Sequence, residues 1–219
     1  MLISHKHKFI IINIPKTGTN SYSKTLHLIN VIVDIQGTAS PNDRYYQHNT
    51  ALDIKIKLKE DGYNLKDYYS IVRTRNPWDR ISSLYHWHKN NHDIFMDSNK
   101  KQNLDKTELS VFENSYSLFE NNYNKKDWII AAIIENSLPQ SAYFTDGNNI
   151  IVNSVQYFEH IKKDFDSFCN RFSFQQHDLV HYNKSTDHNY KELFNGYNDL
   201  INMIAEKDKF VIDLQGYAF

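Results

Sequence analysis

The sequence predicts an α/β protein, a single domain whose central parallel sheet is flanked by helices. Two β-branched runs, KFIIINI at residues 8–14 and YYSIVRT at residues 68–74, have the composition of fully buried strands. Each run is followed by a polar turn and then by apolar residues at helical spacing, which is typical of a βα unit. Strands that alternate with helices in this way indicate a sheet that is covered on both faces.

The remaining elements are predicted from apolar spacing and from turn residues. Pro77 lies in the first turn of a helix, where proline is favoured. Helices are expected at 22–32, 51–59, 78–89, 128–135 and 158–172, with one or two more within 190–210. Short strands are expected at 143–144 and 150–152, around the Asp146-Gly147 turn. Residues at about 90–127 are rich in polar residues, and we expect an irregular insertion there.

Length and composition exclude several classes of protein. The 219 residues suit one domain over 1–219, and 25 Lys and Arg against 26 Asp and Glu exclude a broadly basic surface for nucleic acid. No apolar run approaches the roughly 18 residues of a membrane span. Residues 9–12 are too short for a signal peptide, so we expect a soluble cytoplasmic protein with no membrane insertion. The single Cys169 excludes an intrachain disulfide.

Residues 15–21, which follow the first strand, predict an anion site. The first N–H groups of a helix have no internal partner, and the helix dipole adds positive charge. Gly18 allows close approach of the backbone, and Lys16 adds a full charge. The candidate donor-binding residues are Lys16, Thr17, Gly18, Thr19, Asn20 and Ser21. The alternative is an ordinary turn with a capping threonine.

A second candidate anion site follows the second strand. Arg75 ends that strand, and its planar guanidinium suits a phosphate. Ser83 lies about two helical turns further on, so it can face the same side as the helix start. Two such sites suggest a ligand with anions at both ends. The alternative is a buried ion network, Arg75–Asp79 or Asp79–Arg80, with Trp78 in the core.

These two segments resemble the 5′-phosphosulfate loop and the 3′-phosphate motif of the sulfotransferases that use 3′-phosphoadenosine 5′-phosphosulfate. Three later segments are similar to the family in the same order: residues 155–159, 181–185 and 213–219. The first of them departs from the pattern Val/Ile-Gly-Arg-Phe-Glu at Gln156 and Tyr157. The resemblance is greatest to the carbohydrate-modifying branch, in a short form without a membrane anchor.

The resemblance implies a P-loop-like domain that transfers a sulfonate group from 3′-phosphoadenosine 5′-phosphosulfate to an acceptor hydroxyl, without a metal. Lys16 is implied to stabilise charge on the bridging oxygen of the donor. Lys184 and Ser185 are implied to close over the donor nucleotide. His48, which lies in a segment similar to one in related enzymes, is the candidate general base, because imidazole titrates near neutral pH. The alternative is that His48 only caps the following helix.

The acceptor and the remaining alternatives are less constrained. Residues 89–127 contain six Lys and seven Asp or Glu, so they offer no basic stripe, and a neutral or weakly charged glycan or a small hydroxylated molecule fits as acceptor. His88 and His92 have a spacing that can bind a metal, but no third ligand is evident and we expect no metal site there.

The competing functions are a P-loop-type phosphotransferase and a catalytically inactive nucleotide- or glycan-binding module. The former is disfavoured because Lys16 precedes Gly18, unlike the Gly-Lys-Ser/Thr of that class.

Overall fold

The computed structural model describes residues 1–104, 108–109, 112–113, 116–117, 124–134, 137–180 and 189–219. The predictions for Lys184 and Ser185, and part of those for the insertion at about 90–127, lie outside these residues. The chain divides into two compact units. The first comprises residues 1–76, 139–184 and 210–217, and the second comprises residues 77–138, 185–209 and 218–219.

A mixed five-stranded sheet forms the centre of the first unit. The strands are β1 Leu2–Ser4, β2 Phe9–Ile12, β3 Ile35–Gln36, β4 Tyr69–Thr74, β5 Thr145–Asp146, β6 Asn149–Ile150 and β7 Ser154–Tyr157. The sheet order is β3-β1-β2-β4-β7, and β5 and β6 form a separate hairpin. Strands β2, β4 and β7 are parallel, whereas β1 is antiparallel to both β2 and β3.

The prediction of a wholly parallel sheet is therefore wrong at one edge. Four residues, His5–Lys8, join β1 to β2. A parallel pair needs a crossover of a dozen or more residues, so this short connection permits only an antiparallel pair. A hairpin lies around Asp146-Gly147, but the predicted strand bounds are wrong: the strands are Thr145–Asp146 and Asn149–Ile150, so of the predicted 143–144 and 150–152 only Ile150 is in a strand. Tyr143 ends a preceding 3-10 turn.

The helices follow the predicted order. They are α1 Thr19–Leu28, α2 Ala51–Glu60, α3 Pro77–Met96, α4 Ser98–Lys101, α5 Lys125–Ile134, α6 Ile161–Phe172, α7 Tyr190–Leu193, α8 Asn198–Lys207 and α9 Lys209–Gln215. Turns of 3-10 helix lie at Leu65–Asp67, Gln140–Tyr143 and Phe158–His160. Helix α3 extends beyond its predicted end, to Met96. None of the helices in the described part of the chain combines the length and the hydrophobicity needed to cross a membrane.

Alternate residues of β2 are buried on opposite faces of the sheet. Ile10 and Ile12 belong to a core that contains Ile54 of α2. Phe9 and Ile11 belong to a second core, which contains residues of α1 and α6. A strand that is apolar on both faces needs cover on both faces, so the prediction of a sheet covered on each side is confirmed.

The second unit contains α3, α4, α5, α7 and α8. Trp78 is buried near the start of α3, and its indole N–H donates to the carbonyl of Ile201 at 3.0 Å. The guanidinium of Arg80 lies 3.4 Å from the carboxylate of Asp208, and both side chains are fully buried. Trp78 is thus a core residue, as one alternative for this segment expected, and the contact of Arg80 is with a carboxylate far along the chain.

Candidate functional site

The three parallel strands of the first unit all end at one edge of the sheet. Residues 13–18 follow β2, Arg75 and Asn76 follow β4, and Phe158 and Glu159 follow β7. Ligands of open α/β sheets bind outside the carboxyl ends of the parallel strands. This edge therefore gathers the anion loop, which we define as residues 15–18, and the first residues of two other predicted motifs.

The anion loop has a constrained backbone. Lys16 has φ +70° and Gly18 has φ +79°, both in the left-handed region, which costs energy for a residue with a side chain. The hydroxyl of Thr17 donates to the carbonyl of Ile14 at 2.8 Å, so its proton is used in a hydrogen bond within the segment that follows β2. Helix α1 begins with Gly18 as N-cap, without a side-chain cap. The alternative of a capping threonine is therefore wrong, and the start of α1 suits an anion.

Gly18 is required both by its conformation and by its surroundings. A Cβ at this position would lie 2.7 Å from Cδ1 of Ile161 and 3.0 Å from Cε2 of Phe158. Gly62 has nearly the same φ, +82°, and a Cβ there would meet no atom within 4 Å. Alanine at position 62 therefore tests the cost of the left-handed conformation alone, whereas alanine at position 18 adds the cost of the steric clash.

We expect Gly62→Ala to lower the free energy of unfolding by about 1–2 kcal/mol, the cost of the left-handed conformation. Gly18→Ala is expected to cost about 1–3 kcal/mol more, because overpacking adds to it. Urea unfolding of the two variants measures the difference. Equal losses of unfolding free energy in the two variants would show that Ile161 and Phe158 can shift away from a Cβ at position 18 without destabilising the protein.

Arg75 is held in place by three neighbours. Its Nη1 donates to the carbonyl of Lys16 at 3.0 Å, and its guanidinium lies 4.3 Å from the ring centre of Phe158. The fully buried side chain of Gln140 accepts from the backbone N–H of Arg75 and donates to its carbonyl, each at 3.0 Å. Gln140 thus continues the hydrogen bonding of β4 by one residue and fixes the position of Arg75.

Two cations converge on the anion loop. Burial, together with the positive charge of Arg75, lowers the pKa of Lys16 to about 8. Both effects disfavour the protonated amine. A bound anion would oppose both effects, because a nearby opposite charge favours the ammonium form.

The motif at residues 155–159 connects the other segments of this edge. Phe158 contacts Arg75 and limits the space at Gly18. The carboxylate of Glu159 accepts from the backbone N–H of Asn76 at 2.9 Å and from the hydroxyl of Tyr217 at 2.9 Å. Four of the segments on which the resemblance rests therefore meet at the carboxyl edge of the sheet.

His48 lies at the same strand end as Lys16. Its Nδ1 is 3.0 Å from the carbonyl of Asn13, which only accepts, so Nδ1 carries the proton and Nε2 keeps its lone pair. Burial, reinforced by the charge of the amino terminus, lowers the pKa of His48 to about 4, although the bond to Asn13 opposes the shift. The imidazole is therefore neutral at pH 7, and the expectation that His48 titrates near neutral pH is wrong.

The helix after His48 is capped by other residues. The hydroxyl of Thr50 accepts from the N–H of Asp53 at 3.1 Å, and the Asp53 carboxylate accepts from the N–H of Thr50 at 2.9 Å. This capping box satisfies the start of α2. The interpretation of His48 as the cap is therefore wrong.

The remaining predicted site residues are distributed over the two units. Thr19 and Ser21 are buried in the first turn of α1, and Asn20 is exposed beside them. Ser83 is buried on α3, in the second unit. Sequence reasoning missed Gln140, whose only local signal is a preceding proline.

Candidate metal ligands do not cluster in the part of the chain that the structure describes: no group of three or more His, Cys, Asp or Glu is found there. His88 and His92 instead contact aromatic rings. The ring centre of His88 lies 5.5 Å from that of Trp128, and His92 stacks on Tyr116 at 5.6 Å. Independence from metal stays a prediction.

Comparison with known proteins supplies the family. No curated protein matches this chain. A family model described as "Sulfotransferase family" matches residues 1–207, nearly the whole sequence. The chain belongs to the sulfotransferase family and is an enzyme that transfers sulfonate groups.

Proposed function

We propose that the enzyme transfers sulfonate from 3′-phosphoadenosine 5′-phosphosulfate, through a P-loop-like site in one domain spanning residues 1–219. The observation that carries this proposal is the convergence of Lys16, Arg75 and the start of α1 at one edge of the sheet. Two cations beside uncapped helix N–H groups form a site for a multiply charged anion. Family membership identifies an enzyme of sulfonate transfer, so the phosphotransferase and the inactive module are not retained.

The proposed donor fits the chemistry of these groups. The anion loop and the start of α1 offer backbone N–H donors and the Lys16 ammonium to the phosphosulfate end. Arg75 is assigned to the 3′-phosphate, the role that the resemblance implies for its motif. A guanidinium held by the Lys16 carbonyl and by Phe158 is ordered before the ligand arrives, which lowers the entropic cost of binding.

Two side chains are proposed to assist the reaction, one by accepting a proton and the other by stabilising developing negative charge. Transfer forms a bond between the acceptor oxygen and sulfur and breaks the bond from sulfur to the bridging oxygen of the 5′-phosphate, which keeps the electron pair. Nε2 of His48 takes the proton of the acceptor hydroxyl. The ammonium of Lys16 stabilises the charge that develops on the bridging oxygen.

The test is calorimetric titration with 3′-phosphoadenosine 5′-phosphate in the presence of EDTA. We expect the 3′-phosphate to strengthen binding strongly relative to adenosine 5′-phosphate. Arg75→Ala is expected to cost about 1.5–3 kcal/mol of binding free energy, the range for a charged hydrogen-bond partner. Arg171→Ala, which removes an exposed arginine from the ring of Tyr69, is the control. Equal affinity for the two nucleotides would contradict the 3′-phosphate assignment.

The acceptor is proposed to be a neutral or weakly charged glycan, or a small hydroxylated molecule. The support is the balanced charge of the segment at residues 89–127 and the resemblance to the carbohydrate-modifying branch. Transfer of labelled sulfate to a panel of glycans tests this. We expect label on neutral members, and label confined to heavily sulfated chains would contradict it.

A further inference from the structure

We propose that Arg73 is a second arginine that orients the anion loop, and that it determines donor affinity without touching the donor. This inference rests on the proposed donor site and assigns a positioning residue to it. Neither the two anion motifs nor the candidate donor-binding residues include Arg73.

The side chain of Arg73 is buried beneath the anion loop. It is 2% exposed, and its Nη1 donates to the carbonyl of Thr17 at 3.2 Å. Its Nη2 donates to Oε1 of Gln156 at 3.1 Å, and its guanidinium carbon lies 3.9 Å from the ring centre of Tyr22. Three elements of the first unit thus fix one guanidinium group.

Arg73 and Arg75 act on successive peptide groups of the loop. Arg73 lies on β4 and Arg75 is the first residue after that strand, and both side chains reach the loop that follows β2. Arg73 donates to the carbonyl of Thr17, and Arg75 donates to the carbonyl of Lys16. In a trans peptide the carbonyl and the following N–H point in opposite directions, and the described chain has no cis peptide bond. The N–H groups of Thr17 and Gly18 therefore point away from the two arginines.

This orientation is what an anion site needs. Backbone N–H groups at alternating conformations form a concave site for phosphate-type oxygens. Lys16 and Gly18 have positive φ on either side of Thr17. Without the arginine under Thr17, the peptide that joins Thr17 to Gly18 has one less contact to hold it in this orientation.

Burial of the Arg73 guanidinium is unfavourable for the stability of the folded protein. Its hydrogen-bond acceptors are a carbonyl and an amide oxygen, and burial lowers its pKa although the charge of Asp164 opposes the shift. Its Nε is buried and has no hydrogen-bond partner among the described residues. Removing a guanidinium from water disfavours its charged form, and the desolvation of Arg73 outweighs the attraction of Asp164. A nearby bound anion recovers part of this cost, which couples Arg73 to the ligand.

Gln156, which departs from the family pattern, is the residue that contacts Arg73 from β7. It stands where that pattern has glycine, and it lies directly opposite Arg73 in the pairing of β4 with β7. A glycine has no side chain to accept from Nη2 of Arg73. The glutamine at 156 therefore supplies an acceptor for Nη2 of Arg73 that a glycine would lack.

The test compares Arg73→Met, Arg73→Lys and the control Arg171→Met. The first removes both charge and donors, the second keeps the charge and one donor group, and the control removes an arginine that lies 3.8 Å from a different ring, that of Tyr69. We expect Arg73→Met to raise the Kd for 3′-phosphoadenosine 5′-phosphate and the donor KM by about tenfold or more, since a charged hydrogen bond is lost. The acceptor KM should not change, Arg73→Lys should be intermediate, and Arg171→Met should resemble the wild type.

Kinetic constants distinguish positioning from a purely structural role. A structural role reduces the folded fraction, so kcat falls while the donor KM stays constant, and this outcome overturns the inference. A donor KM within twofold of the wild type in Arg73→Met also overturns it. If Arg73→Met does not fold, Arg73→Lys with wild-type donor KM is the overturning result. Failure of the wild type to bind the nucleotide would instead refute the proposed donor.

Discussion

Replacing His48 by asparagine is expected to lower kcat by about 10²- to 10⁴-fold, the contribution of a positioned general base. The asparagine amide can still donate to the carbonyl of Asn13, as Nδ1 of His48 does, but no basic nitrogen remains in place of Nε2. Affinity for 3′-phosphoadenosine 5′-phosphate should be retained, because the proposed donor contacts are made by other residues. Steady-state kinetics and calorimetry on the same preparation measure both quantities.

His177→Asn is the matched control. The Nδ1 of His177 also lies near a backbone carbonyl, that of Asp178 at 2.7 Å, but the residue is exposed. We expect wild-type turnover for this variant. A folded His48→Asn protein with nearly full activity would show that another group accepts the proton.

The pH dependence of this prediction follows from the lowered pKa of His48. Since the pKa is about 4, the imidazole of the free enzyme stays unprotonated well below pH 6.5, and it imposes no loss of kcat/KM between pH 8 and 6. The unfolded chain takes up the proton near pH 6.5, so the free energy of unfolding falls as the pH drops from 6.5 through 4. The full loss is about 3 kcal/mol. His48→Asn should remove this part of the acid sensitivity, which urea unfolding at pH 7 and pH 5 measures.

Lys16→Met is expected to lower kcat by about 10²- to 10³-fold, and to weaken binding of the desulfated nucleotide much less. The reason is that the proposed interaction of the ammonium strengthens as charge develops on the bridging oxygen. Kinetics that showed only a raised donor KM, with unchanged kcat, would assign Lys16 to ground-state binding instead.

The same substitution should stabilise the free protein. The folded pKa of Lys16 is about 8 and the ordinary value is 10.5, so stability is lost as the pH falls from 10.5 through 8, and the loss is complete at pH 7. It amounts to about 3 kcal/mol, which Lys16→Met should recover. Lys8→Met is the control, because Lys8 also has a positive φ, +56°, but is exposed. Lower stability of Lys16→Met than of the wild type would contradict the lowered pKa of Lys16.

Donor binding should also take up a proton above pH 8. A bound anion raises the pKa of Lys16, so affinity for the nucleotide should fall by up to about tenfold per pH unit above pH 8. Lys16→Met should remove that slope. Calorimetric titrations at pH 7, 8 and 9 test it.

Features that depend on neighbouring residues in the chain could be predicted from the sequence. The runs that became β2 and β4 are short and β-branched, and burial on both faces follows from that composition. The turn between β2 and α1 is predictable because Gly18 stands between a β-branched run and apolar residues at helical spacing, and glycine favours the left-handed conformation found there. The hairpin near Asp146-Gly147 is predictable from its turn residues.

What could not be predicted depends on contacts between distant segments. Strand β1 has three residues and is followed by polar ones, and only its pairing with β2 and β3 makes it a strand. Gln140 and Arg73 act on backbone groups far along the chain, and no local pattern marks a side chain that bonds to a remote carbonyl. The sequence likewise does not predict the hydrogen bond from the Thr17 hydroxyl to the carbonyl of Ile14.

The long-range pairing of β4 with β7 has a consequence for how the enzyme acquires activity during folding. Arg73 and Gln156 are 83 residues apart, and Phe158, which packs beside Gly18, follows directly on β7. Parallel pairs of such separation give a high contact order, and their loop-closure entropy must be overcome before native contacts form. We therefore expect a refolding chain to gain its affinity for anions only after β7 has paired with β4.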